Sequence, residues 1–571
     1  MTPSPPTVPF KGAIGYIKDN PLVSVGLALA LVYAVFGIIA GIRAHSPVPF
    51  WDMWDGSLGF YMNQQTDPSA WWAQHNEHRI ILARILFFLD LQYFGGQAVF
   101  LLVTNYVLAA ATFTLLAWCG LRIAVPATTS MRIIAAVILT LTYLWTQENN
   151  LTWGFQSQFF LAQLMPLASL VLLWRSGIPG RHRSWWFAAS LCVAVLAAGS
   201  MANGVVASWL VLAGCLIGRQ SWKRCAVALL VAIAVGGFYF HGYVSPGGNS
   251  LATILKGQPR GVVWFLFSYL GSPFAHLVPE AAPNVPLAAA CGGVITVLAA
   301  FLGSTALLRR RVSVDLELVI GLFLAYLGAS AAAVSTSRVI FGLESAVASR
   351  YTTPALLVIG CILILGGARL SGRFAWARGR WASVLLFFPL AFLPLQLSAI
   401  KHNQLADFEK VTAALALEMG ARDDEQIMWT YPDSPRVLEI AHKAAAQDLS
   451  IFANPWIRDA SNSIGKIYRD APAAGCGVVP PVTTDLPHSE KWSRLQGGLV
   501  DERLGNSLST LYLLDAQDRI IGRGVLAVPE RAPGNKDFGA PFKLYAPRSA
   551  LTPGPMKVVI PGICSGAFNY Q

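Results

Sequence analysis

The chain has 571 residues, 54% of them hydrophobic and only 13% charged, with a mean hydropathy of +0.51. A soluble domain carries about 25% charge, so this composition excludes a single water-soluble globule and calls for lipid-facing surface. The net charge of +12 would suggest nucleic acid in a soluble protein, but these cations sit in short loops between apolar runs, and no nucleic-acid partner is expected.

Eleven apolar runs follow in chain order, at 21–42, 97–118, 131–146, 156–174, 185–199, 204–218, 225–241, 285–307, 316–334, 352–369 and 381–399. Each is read as a transmembrane helix of about 20 residues, the shorter ones completed by loose ends or by burial in a bundle. The first run is too long for the apolar part of a secretion signal, and no small-residue cleavage site follows it. Segment 79–94, RIILARILFFLDLQYF, is apolar but short and carries Arg79, Arg84 and Asp90. It is expected to lie along the outer membrane surface, with 261–270 as a second such piece.

With the N-terminus inside, the inner segments are 1–19, 119–132, 174–184, 218–225, 308–313 and 369–380. They hold seventeen Lys or Arg and one acid, Asp19. The outer loops, with 79–94 set aside, hold only Arg43, Lys256, Arg260, Arg338 and Arg350. This positive-inside bias places the N-terminus in the cytoplasm and residues 400–571 outside an inner (plasma) membrane. Two domains are expected: 1–399 in the membrane, with a first outer loop at 44–96, and 400–571 as an extracytoplasmic domain. In the latter, 427–431, 449–453, 542–546 and 556–560 read as strands and 435–447 as a helix. Residues 509–514 and 520–528 read as a hairpin. The expected fold is thus a polytopic α-helical membrane protein of about eleven spans with a mixed α/β or β-rich C-terminal domain. Six of the eight cysteines lie in or beside apolar runs; Cys476 and Cys564 lie in the C-terminal domain and can pair if it is outside.

Three outer stretches carry candidate chemistry. The first, 44–78, contains FWDMWDG and QHNEHR. Asp52 and Asp55 are three residues apart and share one face on a helical turn. Beside Trp51 and Trp54 they would be partly desolvated, which raises a carboxylate pKa and suits a general base; the competing reading is a solvated loop with Trp anchors. His75, Glu77 and His78 have the spacing H-x-E-H, which fits neither zinc-helix pattern. A divalent cation (Mg or Mn) shared by Asp52, Asp55 and Glu77 is one alternative, and a hydrogen-bonded network is the other. In the second stretch, Arg350 and Tyr351 precede Pro354 at the head of an apolar run, with Arg338 and Glu344 nearby. Arg350 there either binds a phosphate or snorkels to water. The third stretch, TQENNLTWGFQSQFF, sets Glu148, Asn149, Asn150, Gln156 and Gln158 beside Trp153, for sugar hydroxyls or for helix capping.

Taken together, these residues resemble the GT-C superfamily of integral membrane glycosyltransferases. Asp52 or Asp55 matches the acid-bearing first outer loop of that superfamily. Arg350-Tyr351 with Pro354 looks like the Arg-Tyr-x-x-Pro element of its protein O-mannosyltransferase-like and aminoarabinose-transferase-like branches. The usual acidic doublet is replaced here by Asp-x-x-Asp. The resemblance implies an inverting transfer of a sugar from a polyprenyl-phosphate donor to an envelope glycan, glycolipid or protein acceptor on the outer face. In that scheme Asp55 or Asp52 is the base. Arg350, Arg79, Arg84 and Tyr351 hold the donor phosphate, and Glu77, His78, His75, Glu148 and Asn149 serve the acceptor, the sugar or an optional cation. Two rival functions remain. A polymerase or ligase of lipid-linked glycans would need more arginines than the loop at 241–285 supplies. A transporter or flippase would use a break such as 199–204, which reads more simply as a tight outer turn.

Overall fold

The structure, a computed structural model, describes residues 20–123, 127–244, 257–278, 282–378, 381–401, 403–469, 474–505, 508–528 and 539–571. The charges expected at 1–19, at Lys256 and at Arg380, and parts of the segments at 119–132 and 241–285, lie outside them. The chain divides into two compact units. One comprises 1–43, 72–83 and 101–401; the other comprises 44–71, 84–100 and 402–571. Most of the segment 44–96 belongs to the unit that contains the C-terminal residues.

In the first unit nine helices, among the described residues, are long and apolar enough to cross a membrane: Pro21–Arg43, Val99–Ile123, Thr129–Thr152, Gly154–Gly177, Trp222–Phe240, Val285–Leu308, Leu316–Phe341, Ser349–Arg373 and Trp381–Ser398. The chain is a membrane protein with transmembrane helices. The two remaining expected spans form apolar helices of under 18 residues, Arg183–Ala197 and Ala202–Ile217, so the count of eleven is not reached by length. The bend between them, at 198–200, is a tight turn. Helix Pro259–Leu270 forms where the second surface piece was expected. It meets Val285–Leu308 backbone to backbone: a Cβ on Gly292 would lie 1.7 Å from the Phe267 carbonyl oxygen, and one on Gly271 would lie 1.9 Å from that of Ala288. Small residues permit such close approach where lipid offers no hydrophobic drive between helices.

Two devices repair interrupted helices. Pro166 sits inside Ser157–Gly177 and cannot donate to the carbonyl four residues back; the Tyr326 hydroxyl donates to that Ala162 oxygen instead, at 2.5 Å. Span Thr129–Thr152 breaks at Leu144, which is extended (φ −61°, ψ 127°). The orphaned main-chain groups are taken up by two buried amides. Gln147 Nε2 donates to the Leu141 and Thr142 oxygens, each at 2.9 Å. Gln396 accepts from Trp145 N at 2.9 Å and donates to the Tyr33 and Tyr143 oxygens at 3.1 and 3.0 Å. A helix end without such partners would leave carbonyls unpaired in an apolar interior.

The second unit packs helices Gln404–Glu418 and Ser434–Ala445 with Trp54, Leu58, Tyr61 and Leu91 of the loop segments in one apolar core. Helix 435–447 was expected, and Ser434–Ala445 is found. Gln404–Glu418, capped by the Asn403 side chain, was not foreseen. Two expected strands are not formed; one is mostly turn and the other a short helix. Residues 427–431 follow the turn of helix Asp424–Ile427, which Asp423 caps. Residues 449–453 form the short helix Ser450–Ala453 behind positive φ angles at Asp448 and Ser450, which an extended strand excludes.

A β-rich half-barrel follows. Its strands are β1 (Ala474–Gly475), β2 (Gly477–Asp485), β3 (Trp492–Val500), β4 (Ser509–Leu514), β5 (Ile520–Leu526), β6 (Gly539–Pro547), β7 (Gly554–Ile560) and β8 (Cys564–Tyr570), in the order β1-β8-β7-β4-β5-β6-β3-β2. The expected hairpin is β4–β5, and the expected strands at 542–546 and 556–560 lie in β6 and β7. Cys476, between β1 and β2, is disulfide-bonded to Cys564 with a Cα–Cα distance of 5.7 Å, within the ordinary range. The half-barrel is tied to its helices by buried charge. Arg494 pairs with Asp423 at 2.8 Å, Tyr545 donates to Asp423 at 2.8 Å, and Lys543 pairs with Glu409 at 2.6 Å.

Candidate functional site

The candidate residues fall in both units, and each unit gives its own set a distinct environment.

In the first unit, His75 and His78 exchange both main-chain hydrogen bonds, at 2.8 and 2.9 Å, with Asn76 at φ 48°. This tight turn sets Glu77 at its tip. Glu77 Oε1 accepts from Arg338 at 2.6 Å, and its Oε2 is buried without a hydrogen-bond partner among the described residues. His78 Nδ1 faces the Ala202 amide at 3.3 Å. Burial pushes this imidazole down to about 4, with His75 and Arg338 acting in the same direction against Glu77, so it is neutral near pH 7. The His75 ring lies 5.2 Å from that of Phe155. Arg79, only 5% exposed, donates to the main-chain oxygens of Trp72, Tyr239 and His241 at 2.7, 3.0 and 2.9 Å and stacks over Trp72. Three of its five N–H donors are therefore committed to anchoring this turn.

The second and third stretches come together in the same unit. Asn149 N donates to Ser349 Oγ at 3.0 Å. Asn150 Nδ2 donates to the Arg350 carbonyl at 2.9 Å and to Thr353 Oγ1 at 2.7 Å. Thr353 in turn donates to Gln147 Oε1 at 2.7 Å, the amide that repairs the broken span. The Arg350 guanidinium lies 5.2 Å from the Tyr351 ring centroid and, among the described residues, has no carboxylate partner. Tyr351 is buried, 5.0 Å from the Tyr269 ring, and Glu148 is exposed. Asn105 joins them, donating to the Asn150 and Trp153 oxygens at 3.2 and 3.0 Å. Sequence reasoning passed over Asn105, although one amide in an otherwise apolar span is itself a signal.

In the second unit, Asp55 lies in the first turn of a wide helical segment, Trp54–Gly59. Its Oδ1 takes Arg436 Nε at 3.0 Å and Nη2 at 2.9 Å, and its Oδ2 accepts from the Tyr431 hydroxyl. Burial and that bond hold the Tyr431 hydroxyl well above its usual pKa, and the carboxylate raises that of Arg436. Asp52, half-buried, adds its charge at Tyr431. Neither Tyr431 nor Arg436 was singled out from sequence; each lies hundreds of residues from Asp55 in the chain and has no local motif. Trp51 holds φ 48°, an outlier for a bulky side chain, with its N–H bonded to the Thr430 oxygen at 2.8 Å. Arg84, 4% exposed, donates to the Trp71 oxygen at 3.0 Å and lies over Phe60. Among the described residues, one group of three metal-type side chains is close enough to share an ion: Cys476, Asp501 and Cys564. Two of these are joined in the disulfide.

No family model, curated protein or solved structure matches the chain. The functional reading therefore stands on the residues themselves.

Proposed function

We propose that this protein is a glycosyltransferase of the GT-C type, moving a sugar from a polyprenyl-phosphate donor to an envelope glycan, glycolipid or protein on the outer face of the inner membrane. The single supporting observation is the Arg350 turn. A guanidinium without a carboxylate partner among the described residues is stacked on a buried tyrosine. Its own main chain is locked by Asn150. A phosphate leaving group needs this kind of preorganised cation. Asp55 or Asp52 is the proposed base on the acceptor hydroxyl, and displacement in one step inverts the anomeric carbon. The N-terminus is assigned to the cytoplasm and the second unit to the outside, on the charge bias of the loops.

The test is release of polyprenyl phosphate by purified protein in lipid nanodiscs, offered a panel of lipid-linked sugars and an envelope extract, with and without a chelator of Mg and Mn. Arg350→Ala is expected to lower turnover by about 10²–10³-fold, and Asp52→Asn or Asp55→Asn to abolish it without loss of expression. Full turnover in Arg350→Ala, or in both Asp variants, sinks the mechanism.

The break at Leu144 favours a second reading, transport, because discontinuous spans recur in transporters. Transport would move labelled lipid-linked glycan between leaflets and release no lipid phosphate. A polymerase would instead lengthen the glycan product.

A further inference from the structure

Two helix starts at one end of the first unit lack the usual acid. Helices Arg183–Ala197 and Trp222–Phe240 have no side-chain cap and no acidic residue in the first turn, although a helix N-terminus carries partial positive charge and favours an acid there. Each carries an arginine close to a tryptophan instead, as Arg183-Ser184-Trp185 and Trp222-Lys223-Arg224. The two starts meet. Arg183 Nε and Arg224 Nη1 donate to the same main-chain oxygen, that of Ser176, at 3.2 and 3.4 Å. Arg224 Nη2 reaches the Arg183 carbonyl at 3.5 Å.

One arginine suffices to meet the last carbonyls of helix Ser157–Gly177. The second sets a like charge beside the first. The surrounding sequence offers no offset, because residues 149–279 contain no Asp or Glu. Val314 packs on Gly218 from the neighbouring loop, but the acids that follow it are engaged: Asp315 by Arg311, and Glu317 by Arg309, Arg311 and Arg369. Among the described residues, neither Arg183 nor Arg224 has a carboxylate partner. A positive-inside bias accounts for cations on this face, but not for two of them drawn together at helix starts.

We propose that Arg183 and Arg224 bind the phosphate of an anionic phospholipid at the edge of the bundle. Guanidinium forks match phosphate oxygens, and the two helix starts add a field of the right sign. The tryptophans point to lipid as the source. Trp185 and Trp222 are 67% and 75% exposed, amphipathic rings of the kind that sit among headgroups, so the site opens at headgroup depth. This is the face assigned above to the cytoplasm, where anionic lipid sets the surface potential. The inference is independent of glycosyl transfer.

The test titrates the full-length protein in a neutral detergent with phosphatidylglycerol, phosphatidylcholine or inorganic phosphate and counts bound molecules by native mass spectrometry. Phosphatidylglycerol should bind about tenfold more tightly than phosphatidylcholine, and millimolar inorganic phosphate should not displace it. Arg183→Gln should weaken phosphatidylglycerol binding about tenfold, the loss of a forked charged contact. Arg310→Gln, which removes the same charge from an exposed loop position, should leave it unchanged. Ser184→Glu guards against misfolding: an acid in the first turn should hold or raise the unfolding temperature while offsetting Arg183 and weakening the lipid. Equal losses in Arg183→Gln and Arg310→Gln would mean diffuse attraction and overturn the site. So would unchanged binding in Ser184→Glu, or equal affinity for phosphatidylcholine. Displacement by inorganic phosphate would make free phosphate the ligand and overturn the lipid assignment.

Discussion

At the scale of single residues, buried ionisable groups set distinct pH responses. Asp90 is 2% exposed, with Oδ1 lacking a partner among the described residues. Burial pushes its carboxyl up to about 7 from 3.8, against a backbone hydrogen bond from Ala98. A carboxyl with a raised folded pKa binds its proton more tightly in the native state. Its contribution is complete below about 4 and is lost as pH rises through about 7. The unfolding temperature of the second unit should therefore fall across that window, and Asp90→Asn should flatten the fall and raise the value at pH 8; a parallel fall in the variant removes Asp90 as its source. His78 acts in the opposite sense, its depressed pKa withdrawing stability as pH drops from 6.5 toward about 4. The acids and the Arg350-Tyr351 pair were legible in the sequence because Trp, Asp and Arg stand out in apolar or uncharged surroundings. The partners of Asp55 were not, because a contact between residues so distant in sequence leaves no local pattern.

At the scale of elements, the apolar runs translated well into helices because periodicity and length act locally. The missed strands have physical reasons. β2 contains Pro480 and Pro481 and shifts register between Val479 and Val482, so it carries the residues that ordinarily argue against a strand. β3 and β8 are interrupted by glycines. The two strands wrongly expected were overridden by an Asp cap and by left-handed backbone, which composition alone does not register. The break in Thr129–Thr152 was likewise invisible as hydropathy, yet two buried amides hold it, Gln147 and Gln396. Gln396→Leu would leave Trp145 N and the Tyr143 oxygen short of a partner, at about 1–3 kcal/mol for each buried group left unmet. The expected result is a clear drop in unfolding temperature and reduced donor binding. An unchanged unfolding temperature would show that the break is held by other contacts.

At the scale of the whole molecule, composition decided the membrane class, while the allocation of the first loop between units could not be read from it. Segments 44–71 and 84–100 look like parts of a loop between two spans, and only the shared core with Gln404–Glu418 reveals their membership. The disulfide operates at this scale too. It closes a loop of 88 residues, for which chain-entropy arguments give about 4.6 kcal/mol of stabilisation. Cys476→Ser should lower the denaturant midpoint of the second unit accordingly, while an equal midpoint in reductant and oxidant would deny the bond that role.

The two faces of Cys476 also impose a timetable. The segment carrying β1 and β2 pairs with β8 on one side and β3 on the other, and its thiol must await Cys564. During synthesis the earlier cysteine emerges first and stays unprotected until the ribosome has supplied the later one. Sealing of the half-barrel is then a late event, open until that moment to capture by a wrong thiol.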